Sequence, residues 1–392
     1  MLSFPPHLVQ AYLNKFGIGD DQRVLDPFCG TGTTVVECKK LGIESVGVEA
    51  NRMAWFAGSV KLDWTPNPDR LITHAGTIAQ SMQAQLEQTS TLRELSEEKL
   101  QLLLKNSISD LPLHKTLILL EQIEQHCDQQ FYQHERLALA KSLVYSIANL
   151  KFAPEVSVGK SKTDAPVAQL WFNEIHRMAE DLRHLQTIPD TPAMIHHADS
   201  RRLLDVLEPN SIDVVITSPP YPNEKDYTRT TRLESVLLGF IENKADLRAL
   251  KQELMRSNSR CVYKGDDDDR WVENHPEIQR IANAIEARRI ELKKTSGFER
   301  QYARATKLYF GGMAKHLADL RQALRPGAQL AYVVGDQASY LRVMIRTGEL
   351  LADIAEKLGY EVVNIDLFRT RLATATKEQL REEVVVLKWN GN

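Results

Sequence analysis

The sequence predicts an α/β domain interrupted by two helical insertions. Three observations carry this. Val24–Thr34 reads VLDPFCGTGTT, an apolar strand that ends in an acid and passes through two glycines into a helix start. Later, DVVITSPPY is a second apolar strand, stopped by two successive prolines. Between and beyond them, 62–190 is rich in Leu, Gln, Glu and Lys at helical spacing, and 242–306 is charged and helical in character.

RVLDPF reads as a strand, TTVVECKKLG as a short helix closed by Gly42, and ESVGVEA as a strand ending in Glu49. This is a βαβ unit, which predicts parallel strands and a right-handed crossover. In the first insertion, LRELSEEKLQLLLKN and ERLALAKSLVYSIANL predict helices, and FAPEVSVGKSKTDAPVAQ predicts one loop. The α/β pattern resumes at MIHHADS with a strand ending near Asp199, then a helix, then DVVIT. After the second insertion, GMAKHLADLRQALRPG predicts a helix closed by Gly327, AQLAYVVGD a strand and GELLADIAEKLGY a helix. VVNIDLFRTR and EEVVVLKW are close enough to pair as an antiparallel hairpin. The expected organisation is one α/β domain from 1–61, 191–241 and 307–392, split by insertions at 62–190 and 242–306.

Composition sets bounds. With 392 residues, 43% of them hydrophobic and 26% charged, a sizeable core is expected. The net charge of -3 means that any nucleic-acid surface must be a local patch of Lys and Arg. Cys29, Cys38, Cys127 and Cys261 show neither a CxxC pair nor zinc spacing, so reduced thiols and no metal are expected. The paired His196 and His197 lack companion ligands. The opening MLSFPPHLVQAYL is not a signal peptide, no stretch is long enough to span a membrane, and the expected location is cytoplasmic.

The glycine turn predicts a ligand. Gly30 and Gly32 permit a tight turn and close backbone approach, and Glu49 stands where an acid takes ribose hydroxyls in dinucleotide-binding folds. Asp26 at the strand end would repel pyrophosphate but suits a cationic or amino group. S-adenosylmethionine has a sulfonium, an α-amino group and no phosphate, so it fits better than NAD or ATP. VGKSK lacks the upstream glycine of a phosphate-binding loop and reads as surface. In TSPPY, two prolines stiffen the turn and remove two backbone donors. The Ser218 hydroxyl and the Pro219 carbonyl could then accept from an exocyclic amino group, and Tyr221 offers a face for a stacked base. A base in a duplex must be rotated out to reach such a pocket.

The pair DPFCGTGTT and TSPPY resembles the DNA amino-methyltransferases, which methylate N4 of cytosine or N6 of adenine with S-adenosylmethionine. The likeness extends to FPPHLVQAYL, VGVEAN, HHADS, YPNEKDYT and the closing RTRLATATKEQLREEVVVLKW. It implies a class I (Rossmann-like) methyltransferase fold with a mostly parallel seven-stranded sheet and an antiparallel C-terminal hairpin. It also implies that Asp26, Phe28, Gly30, Thr31 and Gly32 surround the methionine part of the cofactor. Glu49 would bond the ribose, Asp199 the adenine amino group with Ser200 beside it, and Phe4 and Pro5 would cover the methionine end. Ser218, Pro219, Pro220 and Tyr221 would form the catalytic turn.

Serine at the first position of that turn is usual among N4-cytosine enzymes, so cytosine N4 is expected, with adenine N6 as the alternative. The order of the motifs, glycine turn first, departs from many N4-cytosine enzymes. Relatives that modify guanine N2 in transfer RNA usually show DPPY and an added N-terminal RNA-binding domain, for which this chain has no room. An RNA base methyltransferase and an inactive cofactor- and DNA-binding subunit are the competing readings. No cysteine is placed for attack on a ring carbon, and Cys29 reads as a packing residue. Direct in-line transfer is expected, with Asp226 in the following loop read as a solvated acid and, as the alternative, a proton acceptor. Expected partners are double-stranded DNA and a cognate restriction endonuclease. Arg229, Arg232, Arg256, Arg260, Lys264, Arg369, Arg371 and Lys377 are candidate phosphate contacts, the last three in the loop before the final strand. Asp266 to Asp269 reads as a solvated run, and the insertions are expected to read the DNA sequence or to cap the sheet.

Overall fold

Nine strands occur among the described residues. They are β1 (Arg23–Asp26), β2 (Glu44–Glu49), β3 (Leu150–Phe152), β4 (Val156–Val158), β5 (Ala193–His197), β6 (Ile212–Thr217), β7 (Leu324–Gly335), β8 (Glu361–Leu372) and β9 (Gln379–Lys388). The computed structural model describes residues 4–152, 155–223, 225–372 and 379–391. Seven strands form one sheet in the order β5-β2-β1-β6-β7-β9-β8. β5, β2, β1, β6 and β7 pair in parallel, and β9 runs antiparallel between β7 and β8. This is the expected mostly parallel seven-stranded sheet with an antiparallel C-terminal hairpin. The chain steps outward from β1 to β2 to β5 and then returns to the other side of β1 with β6. The crevice between β1 and β6 is therefore a topological switch point, where ligands gather beyond the carboxyl ends of the strands.

The apolar runs explain the strand positions. β1, β6 and β7 are covered on both faces, so their sequences are continuous rather than alternating. Leu25, Val215, Leu330 and Tyr332 belong to the core on one face, and Val24, Val214, Ile216, Ala331 and Val333 to the core on the other. The helix Thr33–Lys40 links β1 to β2, and Gly42, at φ 78°, lets the chain leave it.

Several elements differ from the sequence expectation. The helix Tyr302–Ala323 ends before Gly327, which lies inside β7 at φ 92°. The register there jumps from Ile212↔Leu324 to Val214↔Gln329, so Gly327 serves a bulge rather than a helix cap. After Asp199 only a single turn, Leu203–Asp205, is helical. The expected loop at FAPEVSVGKSK carries β4 and the last residue of β3, which pair antiparallel and are too short for a period signal.

The chain divides into two units, Met1–Gly58 with Thr191–Asp226 and Leu250–Asn392, and Ser59–Asp190 with Tyr227–Ala249. The first holds the seven-stranded sheet. It also takes in 250–306, most of the expected second insertion. The second unit is mainly helical and takes in 227–249. In it, the helices Pro68–Gln88, Asp110–Gln125, Tyr132–Ser142 and Val167–Leu185 pack together, and the indole of the fully buried Trp171 in the last of them donates to the Glu135 carbonyl at 2.9 Å. No described helix is long and apolar enough to cross a membrane.

Candidate active site

The two sequence motifs meet at the carboxyl ends of β1 and β6. These strands are hydrogen-bonded neighbours, so Asp26 and Thr217 end side by side. The Thr217 hydroxyl donates to Asp26 Oδ1 at 2.6 Å, and the Phe28 amide donates to the same oxygen at 3.2 Å. Asp26 Oδ2 is buried with no hydrogen-bond partner among the described residues. The nearby Thr34 hydroxyl gives its proton to the Ile216 carbonyl. Burial pushes the Asp26 carboxyl up to about 6, against these bonds, which pull it down.

Glu49, at the end of β2, faces the same turn. It accepts from the Gly30 amide at 2.7 Å and from the Asn51 amide at 2.6 Å. Loss of solvent still raises its carboxyl to about 7, with Asp26 adding a smaller repulsion. Gly30 and Gly32 both have positive φ, 56° and 89°. Their surroundings differ. A Cβ on Gly30 would meet nothing within 4 Å, whereas one on Gly32 would lie 3.4 Å from the Gly58 backbone. Gly30 therefore borders open space, and Gly32 serves the close packing of two helices. Thr31 lies between them, partly exposed, and Cys29 is buried.

Both raised carboxyls bear on stability. Each folded value lies above its unfolded one, so the stabilising contribution is complete below about pH 4 and is lost as pH rises through 6 and 7. Asp26→Asn and Glu49→Gln are each expected to flatten the fall in urea-denaturation stability between acid and neutral pH. An unchanged slope in both variants would contradict the shifts.

Asp199 and Ser200 follow β5. Asp199 is held by Arg201, whose Nε and Nη2 reach both of its oxygens at 2.7–3.1 Å. The Ser200 carbonyl accepts from His316 Nδ1 at 2.8 Å, so His316 Nε2 takes the Tyr332 hydroxyl at 2.7 Å. Burial lowers His316 to about 4, so the ring is neutral. Phe28 packs edge-on against it with centroids 4.8 Å apart. Phe4 is half-buried against the core under the first helix, Pro6–Phe16, and Pro5 caps that helix.

In the proline turn, the Ser218 hydroxyl donates to the Val333 carbonyl at 3.1 Å. With its proton committed, its oxygen is left as an acceptor. Tyr221 follows, and burial raises its phenol. Its carbonyl accepts from the Asn223 amide at 2.8 Å. The ring lies on Gly335 at the end of β7, where an added Cβ would stand 3.1 Å from Tyr221 Cε2. Gly335→Ala is thus expected to displace the ring and lower any activity that depends on it about tenfold, as misplacement costs catalysis more than binding. Steady-state kinetics would check this, and full activity would show that the ring position is immaterial.

Other candidates sit differently from expectation. Asp226 is not solvated; it is buried and bonded to Lys251 at 3.0 Å. Arg256 is also buried. It bonds Asp266 at 2.9 Å and the carbonyls of Lys251 and Gln252 at 3.0 Å, which leaves it no fork for phosphate. Of the acidic run, Asp266 is thereby paired, and Asp268 is buried against Arg201 and Lys315. Arg232 is tied to Thr228 and to the Leu102 carbonyl, while Arg229 is half-buried. Arg369 and Arg371 lie in β8 rather than in a loop, both beside Glu382. Lys377 falls outside the described residues. Sequence reasoning missed Thr217, His316, Tyr332 and Gly335. Of these only Thr217, a polar residue closing an apolar strand, left a signal.

Residues 3–54 match the family described as DNA methylase. The chain is 23% identical over 407 residues to the Type II methyltransferase M.AvaI of Nostoc sp. (strain PCC 7120 / SAG 25.82 / UTEX 2576), covering 96% of this chain and 81% of that one. It is 24% identical over 424 residues to M.BsoBI of Geobacillus stearothermophilus, covering 98% and 82%. A 60-residue segment is 40% identical to M.MjaII of Methanocaldococcus jannaschii (strain ATCC 43067 / DSM 2661 / JAL-1 / JCM 10045 / NBRC 100440), covering 15% and 11%. The chain thus resembles S-adenosylmethionine-dependent DNA amino-methyltransferases over nearly its whole length, and S-adenosylmethionine is the methyl donor that goes with this resemblance.

Proposed function

We propose that this chain transfers a methyl group from S-adenosylmethionine to the exocyclic amino nitrogen of a base flipped from double-stranded DNA, cytosine N4 in preference to adenine N6. The observation that carries the reading is the bond between Thr217 and Asp26, which joins the glycine turn to the proline turn at the switch point of the sheet.

The residues present suit the cofactor. The unpartnered Asp26 Oδ2 is an acceptor for a cationic or amino group, and the open side of Gly30 leaves room for a ligand against the backbone. Glu49 is poised for the ribose hydroxyls, Asp199 and Ser200 for the adenine, and Phe28, Thr31 and Gly32 complete the turn. Phe4 and Pro5 cover the methionine end. Bound S-adenosylmethionine supplies an electrophilic methyl on a sulfonium.

The chain's own residues then position the attacking nitrogen. Tyr221 stacks on the flipped base, and the Ser218 oxygen accepts from the amino group. Pro219 adds its carbonyl, and Pro220 keeps the turn rigid. Charge moves from sulfur to nitrogen as the new bond forms, so acceptors at the amino group stabilise the transition state more than the ground state. Placement supplies most of the rate.

The reading is tested by mass spectrometry of nucleosides from cells that express the chain, beside cells expressing Ser218→Ala with Tyr221→Ala. The expected result is N4-methylcytosine that disappears in the double variant. N6-methyladenine would keep the enzyme class and replace the base. Methyl transfer to RNA alone, or cofactor and DNA binding without turnover, would overturn the reading. A cytoplasmic location and a cognate endonuclease belong to the same proposal, since the relatives are named type II methyltransferases. Cofactor affinity is expected to fall as pH drops from 8 to 6, because Glu49 must be ionised to accept the ribose protons and its value is about 7. Calorimetric titration across that range, with Glu49→Gln as the flat control, measures the effect.

A further inference from the structure

Arg260 and Phe298 form a solvent-facing pair in the sheet-bearing unit. The Arg260 guanidinium lies 5.4 Å from the centre of the Phe298 ring, and Phe298 is 52% exposed. The ring follows a helix end, Pro276–Glu291, and a stretch from Glu291 to Phe298 that is exposed throughout. The acids of this region are matched locally. Glu286 pairs with Arg289 at 2.7 Å, Glu291 with Arg288 at 2.6 Å and Glu299 with Lys294 at 3.4 Å. Lys293 and Arg300, and Lys264 on the neighbouring segment, are exposed and make no ion pair among the described residues. Lys293 also holds φ 52°, a left-handed position that favours glycine, so the chain keeps a cation there at some conformational cost.

This surface is tethered to the proline turn. The Asn258 side chain donates to the Lys225 carbonyl at 3.0 Å and accepts from the Arg260 amide at 2.9 Å. On the other side, Tyr302, four residues after Phe298, stacks on Tyr340 with centroids 4.8 Å apart. The Tyr340 hydroxyl bonds the carbonyls of Ser257 at 2.9 Å and Asn223 at 3.2 Å. The Asn223 amide in turn bonds the carbonyls of Tyr221 and Ser257.

We propose that Arg260, Lys264, Lys293 and Arg300, with Phe298 among them, grip the DNA strand beside the nucleotide presented to Tyr221. The proposal rests on the function inferred above. A guanidinium over an exposed ring, with three further exposed cations within about five residues of Arg260 or Phe298 along the chain, matches a polyanion with stackable bases, which suits DNA rather than an apolar protein partner. The tethers explain why grip and catalytic turn would move together.

The test is fluorescence anisotropy of duplex DNA across a salt series, with a variant carrying Arg260→Gln, Lys264→Gln, Lys293→Gln and Arg300→Gln, and separately Phe298→Ala. The quadruple variant is expected to lower the slope of log affinity against log salt by roughly three to four. Phe298→Ala is expected to weaken binding roughly tenfold. Cofactor affinity and the melting temperature should stay unchanged in both, since these side chains lie outside the cofactor turn and the core. Wild-type protein that methylates DNA while both variants bind with unaltered affinity and slope would overturn this proposal alone. Altered self-association in sedimentation with unaltered DNA binding would assign the surface to a second copy and also overturn it. Wild-type protein that neither binds DNA nor methylates it would overturn the functional reading as well.

Discussion

Tyr221→Ala is expected to reduce methyl transfer by about a hundredfold to a thousandfold, the range found when one preorganised transition-state contact is removed. Cofactor affinity should hardly change. The reason lies in the architecture of the turn. The ring rests on Gly335 and the Tyr221 carbonyl accepts from the Asn223 amide, so it is placed before any base arrives. Tyr221→Phe keeps the stacking face and loses only the hydroxyl, so a smaller loss is expected. Ser218→Ala removes the acceptor and releases the Val333 carbonyl, and should fall nearer to Tyr221→Ala. Single-turnover transfer of labelled methyl groups, with calorimetry of cofactor binding, separates the two quantities. Full turnover in Tyr221→Ala would remove the turn from the chemistry.

The fold was legible because the buried strands are short, apolar and closed by recognisable stops. VLD ends in a glycine turn and VVIT in two prolines, and both motifs sit where ligand chemistry belongs in an open α/β sheet. The placement of Asp26 and Glu49 at strand ends was legible for the same reason. What failed to show depends on long-range packing. Asp266 and Asp268 look like a solvated acidic run because nothing local marks Arg256 or Arg201 as their partners. Gly327 looks like a helix cap because a bulged strand entry and a helix end use the same positive φ. His316 and Tyr332 are 16 residues apart, on a helix and on the strand that follows it, and only folding brings their side chains together. Gly335 gives no local sign that an aromatic ring from the β6 turn rests on it.

Arg201→Met is expected to destabilise the protein by about 3–5 kcal/mol, the range for removing one member of a buried ionic network. Arg201, Asp199 and Asp268 are each buried, and Lys315 reaches Asp268 at 3.5 Å, so two cations balance two carboxylates. Without Arg201, both acids remain buried with one cation, which is not bonded to Asp199. Urea denaturation of the variant beside wild type measures the loss. Asp268→Asn is expected to cost less, because Arg201 keeps both oxygens of Asp199. Cofactor binding adds a second readout. If Asp199 receives the adenine amino group, Arg201 orients that acceptor, and Arg201→Met should weaken the cofactor even at a pH where the variant is fully folded. Unaltered affinity in the folded variant would leave Arg201 a purely structural residue. An equally large loss in Arg201→Lys, which keeps the charge, would show that packing and the fork geometry, rather than charge, are what Arg201 provides.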